Sequence, residues 1–246
     1  MPELLNRIVL AHGSSDSWQT VDQVMARVSM GGVEFTSRMQ PSPLQDVEVT
    51  ASAASPALTL AGFPGAGLVA HYQPNRVWIE GADGRLQVER SAPGTTFRSV
   101  RHWLWWDQLD VVYYCGVILW QALCLPFTLL RSGCEMTELE PVVLAGGERL
   151  YPLRVVLPGD IPGFAAEQTL YADAAGLVHR VDYAPQLYGS WVRVAQLLEG
   201  HEMFGGFVHA TRRRTYLCLP NGQPLRTLAL GWLDLDDVGV VRRAHC

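Results

Sequence analysis

Three groups of residues in this 246-residue chain have types that could do chemistry: His201, Glu202 and His209; Asp234 and Asp236; and His12, Ser14, Ser15 and Asp16. Two imidazoles and a carboxylate suit a catalytic zinc ion, but H-E-x-x-H presents them from one helix. His201 and His209 instead lie on either side of Gly205-Gly206, in a segment that reads as two strands, so no metal is expected. Asp234 and Asp236 are two apart on a strand and project from one face. Such a pair can share acid and base roles or can simply be solvated. "HGSSDSW" lacks a G-x-S-x-G elbow and reads as a helix end with Ser and Asp turn chemistry. In "AGFPGAG" the glycines are in the wrong order for G-x-G-x-x-G and "LVAHY" follows as a strand, so the segment is a turn. Glu167, Tyr171, Asp173, Arg180 and Asp182 share one predicted hairpin, where cross-strand ion pairs form. No catalytic motif is complete, so no catalytic residue is assigned and no cofactor is implied.

Composition narrows the classes further. All 19 basic residues are arginines, so no lysine is present for Schiff-base chemistry. The net charge of -5 argues against a nucleic-acid partner, which selects a basic footprint. Arg212-Arg213-Arg214 reads as a strand with solvated arginines. Only 17% of residues are charged and 48% are hydrophobic, so the core is large. Cys115, Cys124, Cys134, Cys218 and Cys246 are irregularly spaced and lack C-x-x-C, which fits neither a disulfide framework nor a zinc ribbon. Reduced thiols point to the cytosol. "MPELLNRIVLAHGSS" has no long apolar region and does not read as a signal peptide. The expected location is cytoplasmic, or periplasmic or secreted if a leader has been removed.

The elements that must position these residues are mostly strands. Leu4, Leu5, Ile8 and Val9 make one face of a short helix over 2–12, stopped by Gly13. "WQTVDQVMARVSMGGVEFTSRM" reads as a strand with Val24, Ala26, Val28 and Met30 on one face and a bulge or turn at Gly31-Gly32. Short strands then follow between Gly, Pro and Asp turns, among them Asp83-Gly84. After a helical insertion over about 98–131, hairpins are expected about Gly146-Gly147, Ala174-Ala175-Gly176 and Gly205-Gly206, and a turn at Asn221-Gly222. This is one antiparallel domain over 1–246.

"WDQLDVVYYCGVILWQALCLPFTLL" stands apart, because after Asp110 it carries no charge until Arg131. Asp107 and Asp110 resemble a capping box, and Pro126 should end the helix near Cys124 or Leu125. About 17 helical residues span roughly 26 Å, short of a bilayer core of about 30 Å. No transmembrane segment is therefore expected. A helix that is apolar all round must be covered all round, by sheet, by a partner or by a ligand.

An N-terminal helix, a long first strand, a meander wrapping an apolar helix and further hairpins resemble the LolA/LolB fold. "WWDQLDVVYYCGVILWQALCLPF", "EQTLYADAAGLVHRVDY" and "HATRRRTYLCLPNGQPL" resemble segments of an uncharacterised bacterial family of about this length. The resemblance covers most of the chain. It implies a mainly β (α+β) fold: a strongly curved antiparallel sheet, an unclosed barrel of about eleven strands wrapped around a long apolar helix. That fold family holds periplasmic lipoprotein carriers, lipid carriers, a stress-sensing regulator and a cytosolic indole-rearranging enzyme. This sequence departs from the carriers in showing neither a signal peptide nor a lipobox cysteine.

The leading expectation is a soluble protein that binds a hydrophobic or amphiphilic small molecule or lipid. The ligand would lie between the concave sheet and the 107–125 helix, against Tyr113, Tyr114, Val117, Trp120 and Gln121. Aromatic rings supply contact area there, and Tyr and Gln supply orienting hydrogen bonds. Two alternatives stand beside it: a cofactor-independent cytosolic enzyme acting on a hydrophobic intermediate, and a protein-interaction module. The oligomeric state stays open.

Overall fold

The computed structural model describes residues 1–97, 100–143, 147–185 and 192–243. Helices α1 (Glu3–Ala11) and α2 (Ser15–Gln19) precede strand β1 (Val21–Gly31), and the one-turn helix α3 (Val33–Thr36) follows it. A meander comes next: β2 (Leu44–Ser52), β3 (Leu58–Ala61), β4 (Leu68–Gln73), β5 (Arg76–Gly81) and β6 (Leu86–Ser91). The short helix α4 (Pro93–Thr96), a 3-10 turn at Val100–Trp103, helix α5 (Gln108–Cys124) and a 3-10 turn at Phe127–Leu130 form the helical insertion. The remaining strands are β7 (Glu135–Glu138), β8 (Val142–Val143), β9 (Arg149–Val156), β10 (Glu167–Ala172), β11 (Val178–Tyr183), β12 (Val194–Phe204), β13 (Phe207–Leu217) and β14 (Gly231–Arg242).

Among the described residues fourteen strands stand where about eleven are expected. The surplus includes β7 and β8, of four and two residues, which are too short to show any alternation. Both ends of the stretch read as the first strand change type: Val33–Thr36, after Gly31-Gly32, forms the one-turn helix α3. Trp18 and Gln19, read as the start of a strand, belong to α2, because the Ser14 hydroxyl accepts the Ser17 N–H at 3.1 Å and caps a helical turn. The turn about Gly146-Gly147 lies partly outside the described residues, although β8 and β9 pair antiparallel on either side of it.

The chain divides into two compact units. One holds Val21–Cys124 and Gly231–Cys246. Its strands run β6-β5-β4-β3-β2-β1-β14, antiparallel throughout and open at β6. The predicted alternation of β1 is present, with Val24, Ala26, Val28 and Met30 buried and Met25 exposed. In register across the strands, Val24 pairs with Ala51, Val49 with Leu60, and Leu60 with Ala70. These residues make a continuous apolar face, and α5 lies on β2, β3, β4 and β5.

The other unit holds Met1–Thr20 and Leu125–Leu230. Its strands run β13-β12-β11-β10-β9-β7, with β8 also on β9, and the run is open at β7. Helix α1 buries Leu4, Leu5, Ile8 and Val9, and the Leu4 N–H reaches Glu138 Oε1 at 2.9 Å. Trp18 of α2 stacks on Phe127 with centroids 4.4 Å apart.

Candidate ligand-binding site

Helix α5 starts where the capping pattern places it. The Asp107 N–H donates to Asp110 Oδ2 at 3.0 Å, and the Asp110 N–H donates to Asp107 Oδ1 at 2.9 Å. Arg90 of β6 donates to both carboxylates, and His102 Nε2 lies 3.0 Å from Asp110 Oδ1. Burial alone would raise the Asp107 carboxyl. Arg90 and the Asp110 backbone N–H outweigh it and hold Asp107 below the usual carboxylate range. Asp110 is fully buried, so this cluster anchors the N-terminus of α5 to the end of the meander. At the other end, the helix stops at Cys124, two residues before Pro126.

The five ligand-binding candidates fall into distinct groups. Trp120 is fully buried and its Nε1 donates to the Ser52 carbonyl of β2 at 2.9 Å, so it faces the sheet. Tyr113, half-buried, lies on the same side, 6.0 Å from the Tyr72 ring and 5.1 Å from Phe97. Gly116 sits between them. A Cβ there would overlap the Tyr72 ring, so the glycine lets β4 approach the α5 backbone directly. Tyr114 turns elsewhere: it is buried against Phe35 and Trp106, and its hydroxyl donates to the buried Glu34 carboxylate of α3. Val117 is buried and Gln121 is half-buried.

Sequence reasoning missed Tyr72. It occupies an inward position of β4, is only 1% exposed, and its hydroxyl has no hydrogen-bond partner among the described residues. Burial pushes its pKa upward, so the group stays a neutral phenol. An unmade hydrogen bond at a buried hydroxyl costs about 1–3 kcal/mol. Its only signal in the sequence is strand parity, which places the tyrosine of "LVAHY" on the same face as Ala70.

The other chemistry-bearing groups have settled roles. Ser14 caps α2, and His12 Nδ1 pairs with the Ile8 carbonyl at 2.9 Å. His201 Nε2 lies 2.9 Å from the Val178 carbonyl, and among the described residues no three metal-ligating side chains converge. Asp234 and Asp236 stand opposite Ser29 and Arg27 of β1. Arg180 makes two bonds to Asp182, at 2.6 and 2.7 Å, and lies over the Tyr171 ring, while Asp173 pairs with His179 at 2.9 Å. One expectation is overturned: of the arginine run, Arg213 is 5% exposed and points inward from β13. The unit that holds these residues also has a cleft of about 530 Å³, with Glu167, Tyr171, Asp182, Arg193 and Cys218 on its walls.

No protein-family model matches the chain, and no curated protein matches it in sequence. Solved structures do match by fold. A DUF1329 family protein from Desulfovibrio piger superposes with TM-score 0.53 at 11% identity, over 96% of this chain and 91% of its own. A putative outer membrane lipoprotein-sorting protein domain from Vibrio parahaemolyticus superposes with TM-score 0.55 at 10% identity, over 99% and 93%. A LolA superfamily protein from Nitrosomonas europaea gives 0.54 at 10% identity, over 98% and 93%. The fold is mainly β, antiparallel, open and LolA-like.

Proposed function

We propose that this protein binds a hydrophobic or amphiphilic molecule of the lipid class on the sheet-facing side of α5, acting as one functional domain over residues 1–246. Tyr113, Val117 and Trp120 supply apolar contact, and Tyr72 and Gln121 supply the polar handles, while Tyr114, bound to Glu34, holds the helix in place. The observation that carries this reading is the Tyr72 hydroxyl, buried and without a hydrogen-bond partner among the described residues. A buried polar atom of this kind is explained by a group that is present in the working protein. Trp120 and Tyr72 pack closely against α5 and β2, so a ligand enters as these rings turn or as α5 lifts from β4. The 530 Å³ cleft, walled by Glu167, Asp182 and Arg193, suits a polar molecule better than an acyl chain.

The neighbours with lipoprotein-sorting and LolA names favour a lipid or a lipid-bearing partner over other apolar molecules. They lend no support to a cytosolic location; of the compartments considered, the periplasm is the one in keeping with them. No helix among the described residues is long and apolar enough to cross a membrane.

Native mass spectrometry of the purified chain should reveal a co-purifying apolar mass. Tyr72→Phe should weaken binding of a fluorescent fatty acid by about tenfold, the equivalent of one hydrogen bond of about 1.4 kcal/mol. A bare chain that also binds no fluorescent fatty acid would overturn the reading.

A further inference from the structure

Two turns in the unit that contains α5 are stitched together and present apolar side chains to solvent. One follows α3 and the other precedes α5. Arg38 Nε donates to the His102 carbonyl at 3.0 Å, the Trp106 N–H donates to the Arg38 carbonyl at 3.2 Å, and Gln40 Nε2 donates to the Trp106 carbonyl at 2.8 Å. Trp106 is fully buried against Phe35 and Tyr114, with the Arg38 guanidinium 4.7 Å over its ring. The residues left between these clamped points are Met39 in one turn and Trp103, Leu104 and Trp105 in the other. They are 71%, 53%, 71% and 45% exposed, in that order. Met39 also has φ 64°, a left-handed conformation that a residue other than glycine keeps only where its surroundings hold it.

The make-up of this tip decides what it meets. Exposed large apolar side chains gathered in one place mark an interaction surface. Within 36–42 the exposed residues besides Met39 are Thr36, Ser37, Pro41 and Ser42, and Arg38 is buried. Within 102–106 the one titratable side chain, His102, is buried too. The exposed residues of the two turns therefore carry no charge to set against a protein partner, whose interface takes a polar, charge-complementary rim. Four side chains are also a small surface beside the roughly 1,200 Å² or more that a stable protein interface buries. A bilayer asks for neither a charged rim nor a matched shape. Tryptophan settles at its headgroup level, where the ring lies in apolar surroundings and the indole N–H meets polar groups, and leucine packs against the acyl boundary.

We propose that this tip is a docking surface for the face of a phospholipid bilayer, into which Trp103, Leu104 and Trp105 insert beside Met39. Attachment through uncharged side chains makes no use of anionic headgroups, and the net charge of -5 opposes them. The clamped backbone holds the tip in shape before contact, so little freedom is lost on insertion. The surface stands apart from the ligand proposed on the sheet-facing side of α5, and either can fail alone.

Flotation of the full chain with phosphatidylcholine vesicles tests it. The chain should float with them, and should still do so in about 1 M sodium chloride, where charge attraction is screened within roughly 3 Å. Added phosphatidylglycerol should not raise binding. Trp103→Ser combined with Leu104→Ser should lower the vesicle partition coefficient by about tenfold or more. Fluorescent fatty-acid binding, which reports on α5, should keep its wild-type value in that variant. Met203→Ser, which removes a 72% exposed methionine from the other unit, should leave flotation unchanged. A wild-type chain that does not float, that floats only with anionic vesicles, or that loses as much flotation through Met203→Ser as through the double change overturns the proposal. Wild-type flotation of the double variant does the same, and so does a dimer in the ultracentrifuge that this variant dissolves, since the tip then meets a second copy. Should the double variant not fold, quenching of the wild-type tryptophan emission by brominated phosphatidylcholine decides alone: it is expected, and its absence sinks the idea.

Discussion

Asp107 and Asp110 cap α5 reciprocally, each carboxylate accepting the other residue's backbone N–H at 2.9–3.0 Å. The two are unequal in surroundings. Asp107 is partly exposed, whereas Asp110 is fully buried and also meets Arg90 and His102. Asp107→Ala should therefore cost about 1 kcal/mol, the loss of a cap. Asp110→Ala should cost more, about 3–5 kcal/mol, because it removes the fully buried carboxylate that Arg90 and His102 both meet, even though Arg90 keeps Asp107. Urea melts of the two variants check the ratio, and equal losses would show that burial of Asp110 does not matter.

Trp120→Ala should destabilise the chain by about 3–5 kcal/mol, the range for deleting a large buried ring. Trp120→Phe should cost less, losing mainly the bond to the Ser52 carbonyl. Denaturant melts at unchanged m-value would test both. Wild-type stability in Trp120→Ala would contradict its burial.

Gly116→Ala would normally favour a helix by about 1 kcal/mol. Here the added methyl overlaps the Tyr72 ring, so α5 must move off β4 and the substitution should destabilise. Combining it with Tyr72→Ala should recover part of the loss, because the two changes share one contact. A double-mutant cycle measures this. Additive losses would show that the helix and strand do not touch there.

Stability should fall in two stages on acidification. His12 and His209 bind protons near pH 6.5 when unfolded but only near 4 when folded, because burial opposes their charge. Their contribution is complete above pH 6.5 and is lost as pH drops through that window. Each ring accounts for up to about 1.4 kcal/mol per pH unit. Asp107 and Asp173 act lower. Burial opposes their charge, but Arg90 on one and His179 on the other outweigh it, so both are depressed. Their stabilisation holds above the ordinary carboxylate value of 3.8 and is lost below it. Urea melts from pH 7.5 to 2 should show both slopes, with the first about halved in His209→Gln. A flat profile between pH 6.5 and 4.5 would mean that the rings are protonated in the fold.

What the sequence determined by itself is local. Asp107, Asp110 and Pro126 bracket α5 to within a residue, because capping and the missing proline N–H act over one turn of chain. Alternation in β1 settled which of its residues share a face. Parity alone also required that Arg212-Arg213-Arg214 not all be solvated, since neighbours on a strand point to opposite sides. The sequence reading passed over that constraint, and Arg213 is the residue that turns inward. The tertiary structure decided the rest. Tyr72 meets Gly116, Glu34 meets Tyr114, and His12 shares an enclosure with His209 and Arg213, across chain separations that no periodicity spans. Such pairs depend on strand order and register, which arise when many weak apolar contacts are buried together. No single segment carries that information, so buried polar groups that look ordinary in the sequence acquire their partners, or lack them, only once the sheet has formed.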